Sequence, residues 1–176
     1  MARTLVGIAS AALLGCAPQA PDPQDADVLY LPTPPAVVQA MLGLAEVRAG
    51  DVLYDLGAGD GRIVIAAARR YGIRAVGIEL DARKVAEARA NVARAGLTGR
   101  VEIRHGDLFD ADLGEASVVT LFLFPEINAR LAPKLRRELP PGARIVSHRF
   151  GLGDWEPERR VDALGHPLLR WTIPPP

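Results

Sequence analysis

The chain has 176 residues, 49% hydrophobic and 24% charged, which is enough for one domain with its own core. Its 21 basic and 21 acidic residues cancel to a formal net charge of zero, and only 5% of residues are aromatic. That balance speaks against nucleic acid held by bulk charge or base stacking, and the single cysteine, Cys16, excludes an intramolecular disulfide.

Met1-Ala2-Arg3 opens the chain with a positive charge, and Thr4 to Gly15 is apolar and uncharged. This run is too short to span a bilayer as a mature helix and has the length of a signal-peptide core. It ends Leu13-Leu14-Gly15-Cys16, which resembles the lipobox of bacterial lipoproteins. The resemblance implies that residues 1–15 are a signal peptide and that Cys16 is lipidated. The protein would then be anchored to a membrane of the bacterial cell envelope, facing the periplasm. Ala17, rather than Asp, after the cysteine resembles outer-membrane sorting in a Gram-negative host. An unprocessed leader would instead leave the protein in the cytoplasm. Residues 16–27 contain Pro18, Pro21 and Pro23 among polar residues and read as an extended tether. The folded domain is expected over residues 28–176.

Val28 to Pro35 reads as an extended entry segment, because proline disfavours helix in the residue before it. Thr33 is a candidate N-cap with Pro34 at the first helical position. A helix over Pro35–Ala45 then collects Val37, Val38, Met41, Leu42 and Leu44 on one apolar face. Val47 to Asp51 turns the chain into a first strand, Val52-Leu53-Tyr54. The stretch Asp55-Leu56-Gly57-Ala58-Gly59-Asp60-Gly61-Arg62 follows, and a helix over Arg62–Tyr71 comes after it. Strand, glycine turn and helix in this order place the free N–H groups of a helical first turn at the carboxyl end of a parallel strand. The spacing is G-x-G-x-G, not the G-x-G-x-x-G of a dinucleotide site. Asp55 and Asp60 would repel a pyrophosphate and suit a ligand with a cationic end.

Ala75–Glu79 is the second strand, with Glu79 at its end placed to accept from ribose hydroxyls. Asp81 caps a helix over Ala82–Ala95 that stops at Gly96. Val101–His105 alternates as a third strand, followed by Gly106-Asp107-Leu108-Phe109. Ser117 to Phe124 reads as a buried fourth strand, Glu126–Leu139 as a helix, and Arg144–Ser147 as a fifth strand. Ser147-His148-Arg149-Phe150 and Gly151 to Trp155 extend its carboxyl rim. Val161–Ala163 and Leu168–Ile173 close the chain as a hairpin connected through Leu164-Gly165-His166-Pro167. The three histidines, His105, His148 and His166, have no metal-ligand spacing.

The glycine stretch resembles motif I of the class I, seven-strand methyltransferases that use S-adenosyl-L-methionine. Together with the stretch KLRRELPPGARIV and with SHRF and DWEP, it resembles the small lysine methyltransferases that modify mitochondrial inner-membrane proteins, and their bacterial relatives. The resemblance covers about Val28 to Ile173. It implies an α/β, doubly wound, mostly parallel seven-stranded sheet with a C-terminal antiparallel hairpin, and S-adenosylmethionine as cofactor. It also implies N-methylation of a protein lysine, with a membrane protein as a candidate partner. In mitochondria the family's substrates are the ATP synthase c subunit and the adenine nucleotide translocase.

The cofactor would be held by Tyr30, Thr33, Asp55, Gly57, Gly59, Asp60, Gly61, Glu79, Asp107, Leu108 and Phe124. In the family Asp107 accepts from the adenine amino group, Leu108 offers its backbone N–H to the ring, and the fourth strand's end faces the reactive methyl group. An NPPY-type motif is absent there, which weighs against glutamine or nucleobase acceptors. Phe124, Pro125, Phe150 and Trp155 could form an apolar rim that favours a neutral amine. Glu126 and His148 are the candidates for orienting that amine or receiving its proton. A monomer is expected. Two other functions stay open at this point: a small-molecule methyltransferase, and a non-catalytic anchored module retaining the fold.

Overall fold

The computed structural model describes residues 32–175. Tyr30, Cys16 and the leader and tether lie outside the described residues. The elements run α1 (Pro35–Leu44), β1 (Val52–Leu56), α2 (Arg62–Tyr71), β2 (Arg74–Glu79), α3 (Ala82–Arg94), β3 (Val101–His105), β4 (Val118–Leu121), α4 (Pro125–Glu138), β5 (Arg144–His148), β6 (Arg159–Ala163) and β7 (His166–Thr172).

All seven strands join one sheet in the order β3-β2-β1-β4-β5-β7-β6. The pairs among β1 to β5 are parallel, and β7 runs antiparallel to both β5 and β6. The chain builds outward from β1 to β3, then returns to the other side of β1 with β4. The switch point therefore lies between β1 and β4, and a crevice opens at their carboxyl ends.

Alternation along each strand feeds two apolar layers. Leu53, Val118, Val146 and Leu168 face one layer with Val38, Met41 and Leu42 of α1, Val64 and Ala67 of α2, and Val85 and Ala88 of α3. Tyr54, Val119, Ile145 and Trp171 face the other, with Leu131 and Leu135 of α4. The end of the sheet opposite the crevice is closed by Arg144, whose guanidinium pairs with Asp51, both buried. Burial works against the Asp51 charge, but the Arg48 amide, the Ser117 hydroxyl and the Arg144 guanidinium outweigh it and hold that carboxyl below the usual range. Among the described residues, β3 and β6 are the two outer strands of the sheet. Among the described residues no helix is long and apolar enough to cross a membrane.

Several boundaries differ from those expected: α1 starts at Pro35 with Pro34, not Thr33, at its N-cap and no side-chain cap, β1 runs on through Asp55 to Leu56, and two further differences reshape the rim and the hairpin. The fourth strand was expected to reach Phe124 but ends at Leu121. Pro125 starts α4 and Phe124 is its extended N-cap residue, at φ −61° and ψ 152°, so the last residues before the helix leave the ladder at the rim. The terminal hairpin is longer and tighter than expected. β7 begins at His166, and the turn is only Leu164-Gly165, both at positive φ (60° and 80°), which suits the twist of a two-residue hairpin.

Candidate functional site

The crevice is floored by the turn between β1 and α2. Gly57, Gly59 and Gly61 lie at φ of 82°, 55° and 80°. The turn is stitched to β2, since the N–H groups of Gly57 and Ala58 both donate to the Ile78 carbonyl at 2.9 Å. Glu79 completes the stitching. One carboxylate oxygen accepts from the Gly59 N–H at 2.8 Å, and the other accepts from the Asp81 N–H at 2.9 Å. A single side chain thus holds the glycine turn and the start of α3 in register. Gly77 on β2 makes the close approach possible, because a Cβ there would sit 2.7 Å from the Ala58 Cβ.

The two acids, Asp55 within β1 and Asp60 in the turn, have different environments. Asp55 is buried, and among the described residues its side-chain partner is Thr120, whose hydroxyl donates to Oδ1 at 2.7 Å. Burial pushes the Asp55 carboxyl up to about 7, with Glu79 and Asp60 adding to the rise and Thr120 opposing it. Asp60 instead accepts from Arg62, at 2.9 Å from Nε and 2.6 Å from Nη2. Its charge is compensated within the turn, so Asp55 is the acid that awaits a cation. Arg62 also donates through Nη1 to the Thr33 carbonyl at 3.0 Å, which brings the segment ahead of α1 beside the glycine turn.

Asp107 and Leu108 follow β3, and the Gly106 N–H donates to the Glu79 carbonyl at 3.0 Å, placing them next to the end of β2. The Asp107 carboxylate accepts from the Phe109 N–H at 2.9 Å in a turn of its own. Leu80, directly after Glu79, is 66% exposed and presents an apolar side chain on the same rim.

The residues expected around the acceptor are not brought together as one rim. Phe124 is half exposed at the start of α4. Glu126 is exposed and lines an open groove with Pro125, Ala129, Gly151 and Gly153. Trp155 turns away from the crevice: it packs on Trp171, accepts from that indole through its carbonyl at 2.8 Å, and carries Arg136 over its ring. It belongs to the core beneath α4. His148 is buried, with the Phe122 ring 4.0 Å away, centroid to centroid. Burial first, then the neighbouring His166 and Arg149, hold its imidazole down to about 4. At neutral pH it is uncharged and a weak base.

Three residues of the site escaped sequence reasoning. Thr120 is a lone hydroxyl in an apolar strand, and that lone hydroxyl was the available signal. Arg62 stands two residues after Asp60, and Leu80 directly follows Glu79, but neither residue type is informative without the backbone that places it.

Residues 55–159 match the family model described as the ANTKMT methyltransferase domain. A protein-lysine N-methyltransferase of Saccharolobus islandicus is 48% identical over 83% of this chain and 94% of the relative. The adenine nucleotide translocase lysine N-methyltransferase of Mus musculus is 43% identical over 68% of this chain, which spans 52% of that longer protein. A crystal structure of a Salinibacter ruber protein, described as an RNA methyltransferase in complex with S-adenosyl-L-homocysteine, is 56% identical and superimposes with a TM-score of 0.80. The match covers 82% of this chain and 94% of that one.

Proposed function

The chain belongs to the ANTKMT methyltransferase family, and from that premise we propose that it is an S-adenosylmethionine-dependent enzyme that methylates the side-chain amine of a protein lysine. The observation that carries the cofactor reading is Asp55, a buried carboxyl at the end of β1 whose side-chain partner among the described residues is Thr120, beside a turn that Gly57, Gly59 and Gly61 bend sharply. S-adenosylmethionine, when bound, supplies a methyl group already activated on a sulfonium.

Asp55 would hold the cationic amino-acid end. Glu79 keeps unused lone pairs on both oxygens and would accept from the ribose hydroxyls while still fixing the turn. Asp107 would accept from the adenine amino group and Leu108 would offer its N–H, with Leu80 giving the ring an apolar wall. Thr33, Gly57, Gly59, Asp60 and Gly61 shape the floor, and Phe124 faces the reacting end. A free lysine has a pKa near 10.4, so presenting it neutral at pH 7 costs about 4–5 kcal/mol. Phe122 and Phe150, whose rings stack 6.4 Å apart next to His148, would lower that cost by drying the approach. Alignment supplies much of the remaining rate.

The description of the Salinibacter ruber relative makes RNA the rival acceptor. The surface weighs against it, because the basic residues of α4 are already engaged. Arg130 lies over Phe109, Arg136 lies over Trp155, and Lys134 and Arg137 both pair with Glu138. Incubating the purified protein with labelled S-adenosylmethionine, a membrane-protein fraction and total RNA decides between them. Label recovered as methyl-lysine after protein hydrolysis is the expected result. Label confined to nucleosides or to small molecules would reject the lysine assignment.

For the cell, the leader pattern supports a protein held on the periplasm-facing membrane surface by lipid at Cys16. A Cys16→Ser protein is then expected to lose lipid label and leave the membrane fraction. Retention of both would remove the anchor from the picture.

A further inference from the structure

Beside the crevice the Thr33 hydroxyl heads a line of three hydrogen-bonding side chains, and its two histidines have no part in cofactor binding. The Thr33 hydroxyl lies 3.3 Å from Nδ1 of His148. The other ring nitrogen of His148, Nε2, lies 2.9 Å from Nδ1 of His166. Thr33 and His148 are buried, whereas His166, at the start of β7, is partly exposed. One end of the line therefore sits beside the glycine turn, where Arg62 fixes the Thr33 carbonyl, and the other end meets solvent.

We propose that Thr33, His148 and His166 form a proton conduit that orients the acceptor amine and carries its proton from the crevice to water. The proposal rests on the lysine-methylation reading above. Its logic is the directionality of the chain. When the Nε2–H of His148 donates to Nδ1 of His166, Nδ1 of His148 is left as an acceptor. The Thr33 hydroxyl must then donate to it, which leaves the Thr33 oxygen as an acceptor toward the crevice. That oxygen takes an N–H of the incoming ammonium and turns it away from the methyl donor. When the ammonium gives up its proton to the Thr33 oxygen, the hydroxyl proton moves to Nδ1 of His148. The Nε2 proton of His148 moves to Nδ1 of His166, and the Nε2 proton of His166 leaves to water. One N–H bond of the ammonium has broken, one proton has reached solvent, and the amine keeps its electron pair for the methyl group. Both rings begin and end neutral, in agreement with the environment that disfavours a charged His148.

The experiment uses the full chain and its His166→Ala form in single-turnover methylation of a lysine-bearing protein fraction. The rate is expected to fall about 10-fold or more, to recover on addition of free imidazole, and to do so with S-adenosylmethionine affinity by calorimetry unchanged within about twofold. An unchanged rate, or a loss that imidazole does not restore, would overturn the conduit. Nitrogen-15 spectra of the ligand-free wild type give a second reading without turnover. A neutral His148 with its proton on Nε2 is expected, and a charged ring or a proton on Nδ1 would overturn the proposed direction. Should the wild type methylate no protein lysine at all, the acceptor assignment fails instead, and the nitrogen spectra still decide the direction of the chain.

Discussion

Asp55→Asn is expected to make the ligand-free protein more stable while weakening S-adenosylmethionine binding by at least about 100-fold. Both effects come from one carboxyl. In the unfolded chain it ionises near 3.8 in free contact with water, and in the fold burial raises it to about 7. Above pH 7 both states carry the charge, but the folded state carries it in a dry site. Between about 4 and 7 the folded state takes up a proton that the unfolded state does not hold, so this site's destabilisation fades as the pH falls. Asparagine removes the charge at every pH. Its stabilisation is therefore on the order of 2–4 kcal/mol at pH 8 and shrinks toward zero near pH 4. Denaturant unfolding at the two pH values reads the difference directly. The same linkage predicts that wild-type affinity for the cofactor declines below about pH 7, where the carboxyl must first lose its proton. An asparagine protein that bound S-adenosylmethionine like wild type would remove Asp55 from the site.

Glu79→Ala should be damaging in both respects. It strips the acceptor from two backbone N–H groups at once, those of Gly59 and Asp81. Each loss of a charged acceptor costs about 1–3 kcal/mol where water does not reach the donor. A total of about 2–3 kcal/mol is expected here, since both sites are only partly buried. Cofactor affinity should drop by about 100-fold, because the ribose contacts and the shape of the turn are lost together. Glu79→Gln separates the two contributions. Its carbonyl oxygen can keep the Gly59 bond, whereas its amide cannot accept from Asp81. Hydrogen exchange should therefore quicken at both amides in the alanine form and at only one in the glutamine form. Equal protection in all three proteins would contradict the dual role.

Much of this architecture was legible because local signals and the global fold agree. Three glycines between a β-prone run and an alanine-rich run left one topology open, and acids at the ends of successive strands could only converge on one crevice. Other features were hidden because they depend on partners distant in sequence. Arg62 stands only two residues from Asp60, but its grip on the far Thr33 carbonyl, which sets its orientation, is invisible in one dimension, so Asp55 and Asp60 both read as awaiting a cation. Trp155 reads as rim because it lies just beyond the fifth strand, and only the antiparallel β7 brings Trp171 beneath it. His148 reads as a polar rim residue for the same reason, since Phe122, just past β4, and His166 on β7 pack against its ring. The fourth strand's early end follows from Pro125, and the proline was visible, but the apolar run before it masked the boundary.

The sheet's borders also bear on how the protein behaves when crowded. The outermost strand at one side carries Arg159, Arg160 and Asp162, all exposed, and the strand at the other side carries Glu102 and Arg104. An incoming strand from a second molecule would have to bury those charges to extend the ladder. Copies concentrated on a common surface should therefore remain dispersed and resist edge-to-edge aggregation.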